Sequence, residues 1–183
     1  LPGDEKYWNQ LIKKSFNQEF KFLENIAGKN FFKRERIRFI CSSEKPVATA
    51  TAWHIKELGP QTGYLHMVGV LPEHRGQGLG FQVSLAALHR MRTDDFSRVV
   101  LKTDDFRIPA IITYLKLGFE PEIIHENQYQ RWKKISQKIN RDDIKIKIDG
   151  DKLITRMDES YINKYKSRPD EQDRAGIPEH KRR

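Results

Sequence analysis

The chain reads as an α/β (α+β) fold, and three observations carry that reading. The alternating run Arg36 to Ser42 and the β-branched run Val47 to Ile55 are joined by turn residues Ser43 to Pro46, which is a hairpin pattern. A third β-type run, Tyr64 to Val70, stops at Pro72 and feeds the glycine-rich turn Arg75-Gly76-Gln77-Gly78-Leu79-Gly80, which opens a helix. Downstream, Arg98-Val99-Val100-Leu101-Lys102-Thr103 reads as a strand, and Pro109 to Leu117 as a helix with proline in its first turn and Gly118 as its stop.

The remaining elements follow in chain order. Asp4 can cap a helix whose apolar positions Tyr7, Trp8, Leu11, Ile12 and Phe16 recur at helical spacing. Phe20, Phe22, Leu23 and Ile26 suggest a second, short helix. Gly59 to Gly63 is the turn before the third strand. Beyond Phe119, Pro121 to His125 reads as one more strand, and Gln128 to Ile139 as a helix on the spacing of Trp132, Ile135 and Ile139, with a strand as the alternative. Residues 144–154 alternate and are split by Asp149-Gly150, a hairpin signal, while residues 164–183 lack periodicity. The expected division is a domain over residues 1–135 and a basic C-terminal extension over residues 136–183.

Composition excludes several classes. No apolar run approaches the roughly 18 residues of a membrane span, and no signal peptide is visible, so no membrane partner is expected. A lone Cys41 cannot form an internal disulfide, which fits a reducing, cytoplasmic setting; in its apolar strand pattern it reads as a core residue. The net charge of +9 is concentrated beyond residue 130, where charges of both signs mix with few aromatics. That pattern favours a solvated extension over a nucleic-acid-binding arm. The chain begins at Leu1 rather than Met, so an upstream segment is expected to have been removed or left out.

The glycine-rich turn has the chemistry of a pyrophosphate cradle. Glycines admit a phosphate to the backbone, the helix that follows offers unpaired N–H groups and a positive dipole end, and Arg75 adds charge. A P-loop would need Lys followed by Ser or Thr after its last glycine, and Phe81-Gln82 stand there. A dinucleotide fingerprint would need a further glycine at Val83. The pattern Arg/Gln-x-x-Gly-x-Gly/Ala is matched in full by Arg75 to Gly80, and resembles the coenzyme A loop of the GNAT superfamily of acyl-CoA N-acyltransferases. Ala110, Tyr114, Gly118 and Phe119 resemble a second signature of that superfamily. The likeness runs over roughly residues 36–121. One departure stands out: seven residues before the tyrosine many members carry Asn, and Arg107 occupies that place.

The resemblance implies a mixed, mostly antiparallel central sheet flanked by helices, with its first strand truncated or lacking before the first helix. It implies an acyl-CoA co-substrate, most simply acetyl-CoA, no metal, and direct transfer to an amine acceptor, a small molecule in preference to a protein; a homodimer is compatible with it. A GNAT-fold module that binds acyl-CoA without turnover is the alternative. Val68, Gly69 and Val70 should line the pantetheine arm, with a backbone N–H near Val70 polarising the thioester, although an ordinary buried strand would read the same way. Glycine within a strand marks a bulge or a close approach, which singles out Gly69. Gly76, Gln77, Gly78, Leu79 and Gly80, with Arg75, should hold the pyrophosphate, while Arg107 should reach either phosphate or a carboxylate such as Asp104 or Asp105. Tyr114 is the candidate acid for the departing thiolate, and also a packing residue beneath the loop. His66, which at period two shares a face with Tyr64 and Val68, is the candidate base, expected to give a rate rising through about pH 6 to 8. His54, Glu57 or an ordered water are its substitutes.

Overall fold

Apolar residues at helical spacing, uninterrupted by glycine or proline, form α1 at Asp4–Phe16. The computed structural model describes residues 4–27, 32–148 and 152–154 of the chain. It divides into two compact units, Leu1–Phe119 and Glu120–Arg183.

In the first unit, β1 (Ile37–Ser42), β2 (Lys45–His54), β3 (Thr62–Val70) and β4 (Arg98–Val100) form one sheet in that order. The first two pairings are antiparallel and β3 to β4 is parallel, the mixed and mostly antiparallel sheet expected. The crossover to β4 is made by α2 (Leu79–Thr93), and α3 (Ile108–Lys116) follows β4. Ser43 and Glu44 turn the β1–β2 hairpin with φ of 46° and 65°, the left-handed pair that a two-residue loop needs.

Alternation along β2 serves two cores. Ala48, Ala50 and Ala52 face α2 and pack with Leu65, Val83, Ala87 and Met91, their small side chains letting the helix approach the sheet closely. On the other face Trp8, Leu11, Ile12, Phe22 and Ile26 form a second cluster, against which Trp53 and Met67 pack. Trp8 and Phe22 meet edge to face with centroids 5.5 Å apart. Burying side chains of this size contributes about 1.5–3 kcal/mol each.

Several expectations are corrected. The second short helix is a single π-helical turn, Leu23–Ala27, in which Ile26 is buried and Leu23 exposed. Cys41 is exposed rather than core. The β1–β2 register shifts between Ile40 and Cys41, so the inward alternation of Ile37 and Phe39 is lost before it reaches the cysteine. Strand β4 ends at Val100, well short of Thr103.

A buried ion cluster joins the two ends of this unit's core. Arg36 Nε lies 2.5 Å from Asp94 Oδ2, Arg90 Nη2 lies 2.6 Å from Asp94 Oδ1, and the Arg36 guanidinium also sits 5.3 Å from the Phe96 ring centroid. Burial pushes the Asp94 carboxyl up, but hydrogen bonds from Arg36 and Arg90 outweigh it and hold the group below the usual carboxylate range.

The second unit contains β5 (Glu122–Ile123), α4 (Glu126–Ile139), β6 (Ile146–Ile148) and β7 (Lys152–Ile154). The segment read as helix or strand is the helix α4, begun by a reciprocal cap between His125 and Gln128. Strands β6 and β7 pair antiparallel, the hairpin expected there, and β5 pairs parallel to β6. The turn residues Asp149-Gly150-Asp151 and residues 155–183 lie outside the described residues. No helix among the described residues is long and apolar enough to cross a membrane.

Asp94→Ala would leave the Arg36 and Arg90 guanidiniums without their shared carboxylate. It is expected to destabilise the protein by about 3–5 kcal/mol, read as a lowered midpoint in urea unfolding.

Candidate functional site

The turn after β3 is built by backbone conformation. Leu71 donates to the Val47 carbonyl at 2.9 Å, Pro72–His74 makes one 3-10 turn, and Arg75 N donates to the Pro72 carbonyl at 3.3 Å. Gly76 and Gly78 then take φ of 79° and 74°, the left-handed region where a side chain is strained. A Cβ at either would meet open space, so the chain path and not crowding requires glycine. Gly80 differs: its Cβ would come only within 3.8 Å of Val70 Cγ2, and alanine fits. The α2 ladder opens with Gln82 N on the Gly78 carbonyl at 3.1 Å. Among the described residues, the N–H groups from Gly76 to Phe81 donate to no backbone carbonyl. They are the orphan donors of a helix start, extended backwards through the glycine turn.

Beside this turn, β3 and β4 part. Their ladder covers only Thr62–Arg98, Gly63–Val99 and Tyr64–Val100, while β3 stays paired with β2 as far as Val70. From Leu65 to Val70 the β4-facing edge of β3 is therefore without a strand partner among the described residues. Val68, Gly69 and Val70 lie on this stretch.

The β3 strand also carries a bulge. Thr49 faces Gly69 and Thr51 faces His66, so β3 holds one more residue than β2 between these pairs. Met67 absorbs it with φ of 50°. The bulge sits there and not at Gly69, which meets the other expectation for a strand glycine. A Cβ on Gly69 would lie 3.1 Å from Leu11 Cδ2, Ile12 Cδ1 and Ser15 Oγ, so its bareness lets α1 rest on the sheet. The extra residue also overturns the period-two reading of His66. Val68 and Val70 pack on the α2 side, whereas the His66 ring lies 6.0 Å from Trp53 and 5.6 Å from Tyr64, with Trp53 on the α1 side.

Burial pushes the His66 imidazole down to about 4, which leaves it neutral at ordinary pH. The rate rise through about pH 6 to 8 expected of an unperturbed histidine does not belong to this group. His54 stacks on Phe96 with centroids 5.5 Å apart, and its Nε2 hydrogen-bonds to the Gly59 carbonyl at 3.3 Å. Glu57 lies exposed in the turn Lys56–Leu58.

Tyr114 lies on α3, packed with Phe119 at a centroid distance of 6.0 Å and against the α2-side core. Burial pushes its phenol up to about 12, the Arg107 charge acts to lower it and the Tyr64 phenol to raise it. Arg107, just before α3, pairs through Nε with Asp104 Oδ2 at 2.8 Å. Its guanidinium lies 4.7 Å from the Phe16 ring centroid and 5.1 Å from that of Phe106. Arg75 Nη2 donates to the Ser15 carbonyl at 3.0 Å. Both arginines therefore touch the last turn of α1.

The structure brings together on one side of the sheet end the glycine turn, the free β3 edge, Tyr114 and Arg107, and separates His66 from Val68 across the sheet. Cavities of about 300 and 390 Å³ flank α1, but neither is lined by Tyr114 or His66. The candidate site is the open fork. Ser15, Phe16 and Tyr64 were not read as site residues from sequence, the first two being noted only for their helical spacing; for Tyr64 the signal was its shared face with His66. Among the described residues no three His, Cys, Asp or Glu side chains group as a metal site.

The His66 shift has a sign that can be tested. The unfolded chain takes up this proton near pH 6.5, and the folded chain only near 4, so acid favours unfolding. The contribution is fully present above about pH 6.5 and is lost as the pH falls toward 4. In thermal melts across that window, His66→Phe is expected to lose stability less steeply than the wild type.

Comparison with known proteins agrees with this geometry. Residues 5–119 match the family model described as the acetyltransferase (GNAT) family. A mycothiol acetyltransferase of Nocardia farcinica is 40% identical over 62 residues, covering 34% of this chain and 20% of that protein. Its counterpart in Corynebacterium glutamicum is 29% identical over 100 residues, 53% of this chain and 33% of that one. The match thus spans a third or less of the length of these relatives. Among solved structures, a ribosomal-protein alanine N-acetyltransferase of Escherichia coli superposes with a TM-score of 0.54 at 16% identity, over 66% of this chain and 74% of that one. An aminoglycoside N-acetyltransferase solved in complex with CoA gives 0.52 at 15% identity, over 65% and 83%. With more than half of its residues under the family model and the same fold around its glycine turn, the chain belongs to the GNAT acetyltransferase family.

Proposed function

We propose that this protein is an acyl-CoA-dependent N-acyltransferase that takes acetyl-CoA and passes the acetyl group directly to the amine of a small molecule. The observation that carries the reading is the run of N–H groups from Gly76 to Phe81 that donate to no backbone carbonyl, set beside a strand edge that has no strand partner among the described residues. Such a run suits a pyrophosphate, and such an edge suits an extended amide-bearing arm, so the residues present fit the co-substrate. The name of the mycothiol acetyltransferase relatives favours a small acceptor over a protein.

When bound, acetyl-CoA supplies an activated acyl group and a thiolate leaving group. Gly76, Gln77, Gly78, Leu79 and Gly80 hold the pyrophosphate through backbone N–H groups, and Arg75 and Arg107 supply positive charge. Val68, Gly69 and Val70 offer the β3 edge to the arm, and an N–H near Val70 polarises the reacting carbonyl. Tyr114 donates to the departing sulfur. A phenol near 12 facing a thiol near 8.5 makes full proton transfer uphill by about 5 kcal/mol, against about 2 for an unperturbed tyrosine. Burial raises the phenol to this value even though the Arg107 charge, which favours the phenolate, acts against it.

His66, neutral and packed against Trp53 and Tyr64, takes no part in the proton transfer. An imidazole near 4 is too weak to strip an ammonium near 10.4, a gap of about 9 kcal/mol. The acceptor therefore reacts in its neutral form, and an ordered water carries its proton away.

Gly78→Asp places a carboxylate in the turn and is expected to abolish acetyl-CoA binding measured by calorimetry, with the fold retained. Unchanged affinity overturns the site. Tyr114→Phe keeps the ring and removes the donor, so turnover in a thiol-release assay with an amine panel should fall by roughly 10² to 10⁴ at little-changed affinity. Acetyl-CoA binding by the wild type without thiol release for any amine would establish the binding module instead of the enzyme.

A further inference from the structure

Successive residues at the end of α1 reach the loops that lead into the glycine turn and into α3. Lys14 Nζ lies 3.9 Å from Glu73 Oε1, the Ser15 carbonyl accepts from Arg75 Nη2 at 3.0 Å, and the Arg107 guanidinium carbon lies over the Phe16 ring, 4.7 Å from its centroid. The Ser15 carbonyl can accept because the helix is ending: Asn17 takes φ of 52°, and the last carbonyls of a helix have no partner along the chain. Phe16 is anchored, packing against the α1-side cluster and meeting Phe20 edge to face with centroids 5.9 Å apart. The other contacts of Arg107 are looser. Its ion pair with Asp104 joins side chains 32% and 58% exposed, an arrangement that holds weakly, and the Phe106 ring at 5.1 Å belongs to a residue 74% exposed. Of these three contacts, Phe16 is the one with packed protein behind it.

We propose that Phe16 is a positioning residue for the anionic end of the acyl-CoA donor, its ring holding the Arg107 guanidinium so that the N–H edge is presented to phosphate. The proposal rests on the acyl-CoA reading given above. Its chemistry is a division of the guanidinium between face and edge. The aromatic ring takes the face by cation–π attraction, while every N–H donor lies in the guanidinium plane and stays available to an anion. Asp104 engages Nε, and exchanging that exposed carboxylate for a phosphate leaves the ring contact in place. The same helix end holds Arg75 through Nη2, so one packed segment sets both charges before the donor arrives. Less side-chain ordering is then left to be done on binding.

The test is a double-mutant cycle in the full chain: wild type, Phe16→Leu, Arg107→Ala and the two combined, with Phe16→Tyr as the conservative variant. Each is titrated with acetyl-CoA by calorimetry and assayed at saturating amine. Phe16→Leu is expected to weaken affinity and raise KM for acetyl-CoA about fivefold with turnover at saturation nearly kept, and to have no further effect in the Arg107→Ala background. Phe16→Tyr should bind as the wild type does. A phenylalanine that merely packs would lower the melting temperature at unchanged affinity, or weaken affinity by the same factor in both backgrounds; either result overturns the proposal and leaves the acyl-CoA reading intact. Wild-type affinity in Arg107→Ala overturns it as well. A second measurement needs no variant of Phe16: the ring should shift the Arg107 δ-methylene proton resonances upfield, and the shift should persist with acetyl-CoA bound, so its loss on binding overturns the proposal. Failure of the wild type to bind acetyl-CoA overturns the acyl-CoA reading, and the role of Phe16 with it.

Discussion

Backbone groups that lose a strand partner must find another, and the outer half of β3 has lost one. Because β4 pairs with β3 only through Tyr64–Val100, the sheet splits while still held together on its β2 side. The consequences spread from that split. Helix α2 starts at the open end with its own donors unspent, and α3, which follows β4, carries Tyr114 with Arg107 just before it. In an ordinary sheet such an opening would be closed by pairing or by water. Here the two cores on either face of β2 reach up to the split: Val68, Val70 and Tyr114 pack against the α2-side cluster and Met67 against the other.

The charges near the fork are already engaged with the protein. Arg75 donates to a carbonyl of α1, and Arg107 lies between Phe16 and Phe106 while paired to Asp104. An anion that arrives at the glycine turn meets backbone dipoles free to accept it and arginines that must exchange one partner for another. That division suits backbone N–H groups to fixing the position of a phosphate and the arginines to adjusting the strength of its binding.

Much of the fold was legible because local rules and global fold agree here. The hairpin, the glycine turn into α2 and the proline-led α3 each carry their own punctuation, and the helical spacing of Trp8, Leu11 and Ile12 survives as a buried stripe. What could not be read depends on pairing between distant segments. Cys41 leaves the core through a register shift with β2, β4 ends where its pairing with β3 ends, and the Arg36–Asp94–Arg90 cluster joins residues with no pattern in common. At the candidate site the glycines at 76 and 78 were readable from type and spacing, since only their backbone conformation matters. The face of His66 was not, because nothing in the run Tyr64 to Val70 announces an extra residue at Met67, where a non-glycine takes a left-handed conformation.

That extra residue has a consequence for reading ancestry. Strand faces alternate with period two, so one inserted position exchanges the faces of everything on one side of it. An alignment to a relative with an unbulged strand would close the gap by sliding Tyr64 and His66 by one place, and would pair each with a residue that points through the opposite side of the sheet. The letters would look conservatively matched while the geometry was inverted. Anchoring such alignments at Thr49–Gly69 on one side and Thr51–His66 on the other, with Met67 left unmatched between them, keeps inward residues with inward ones.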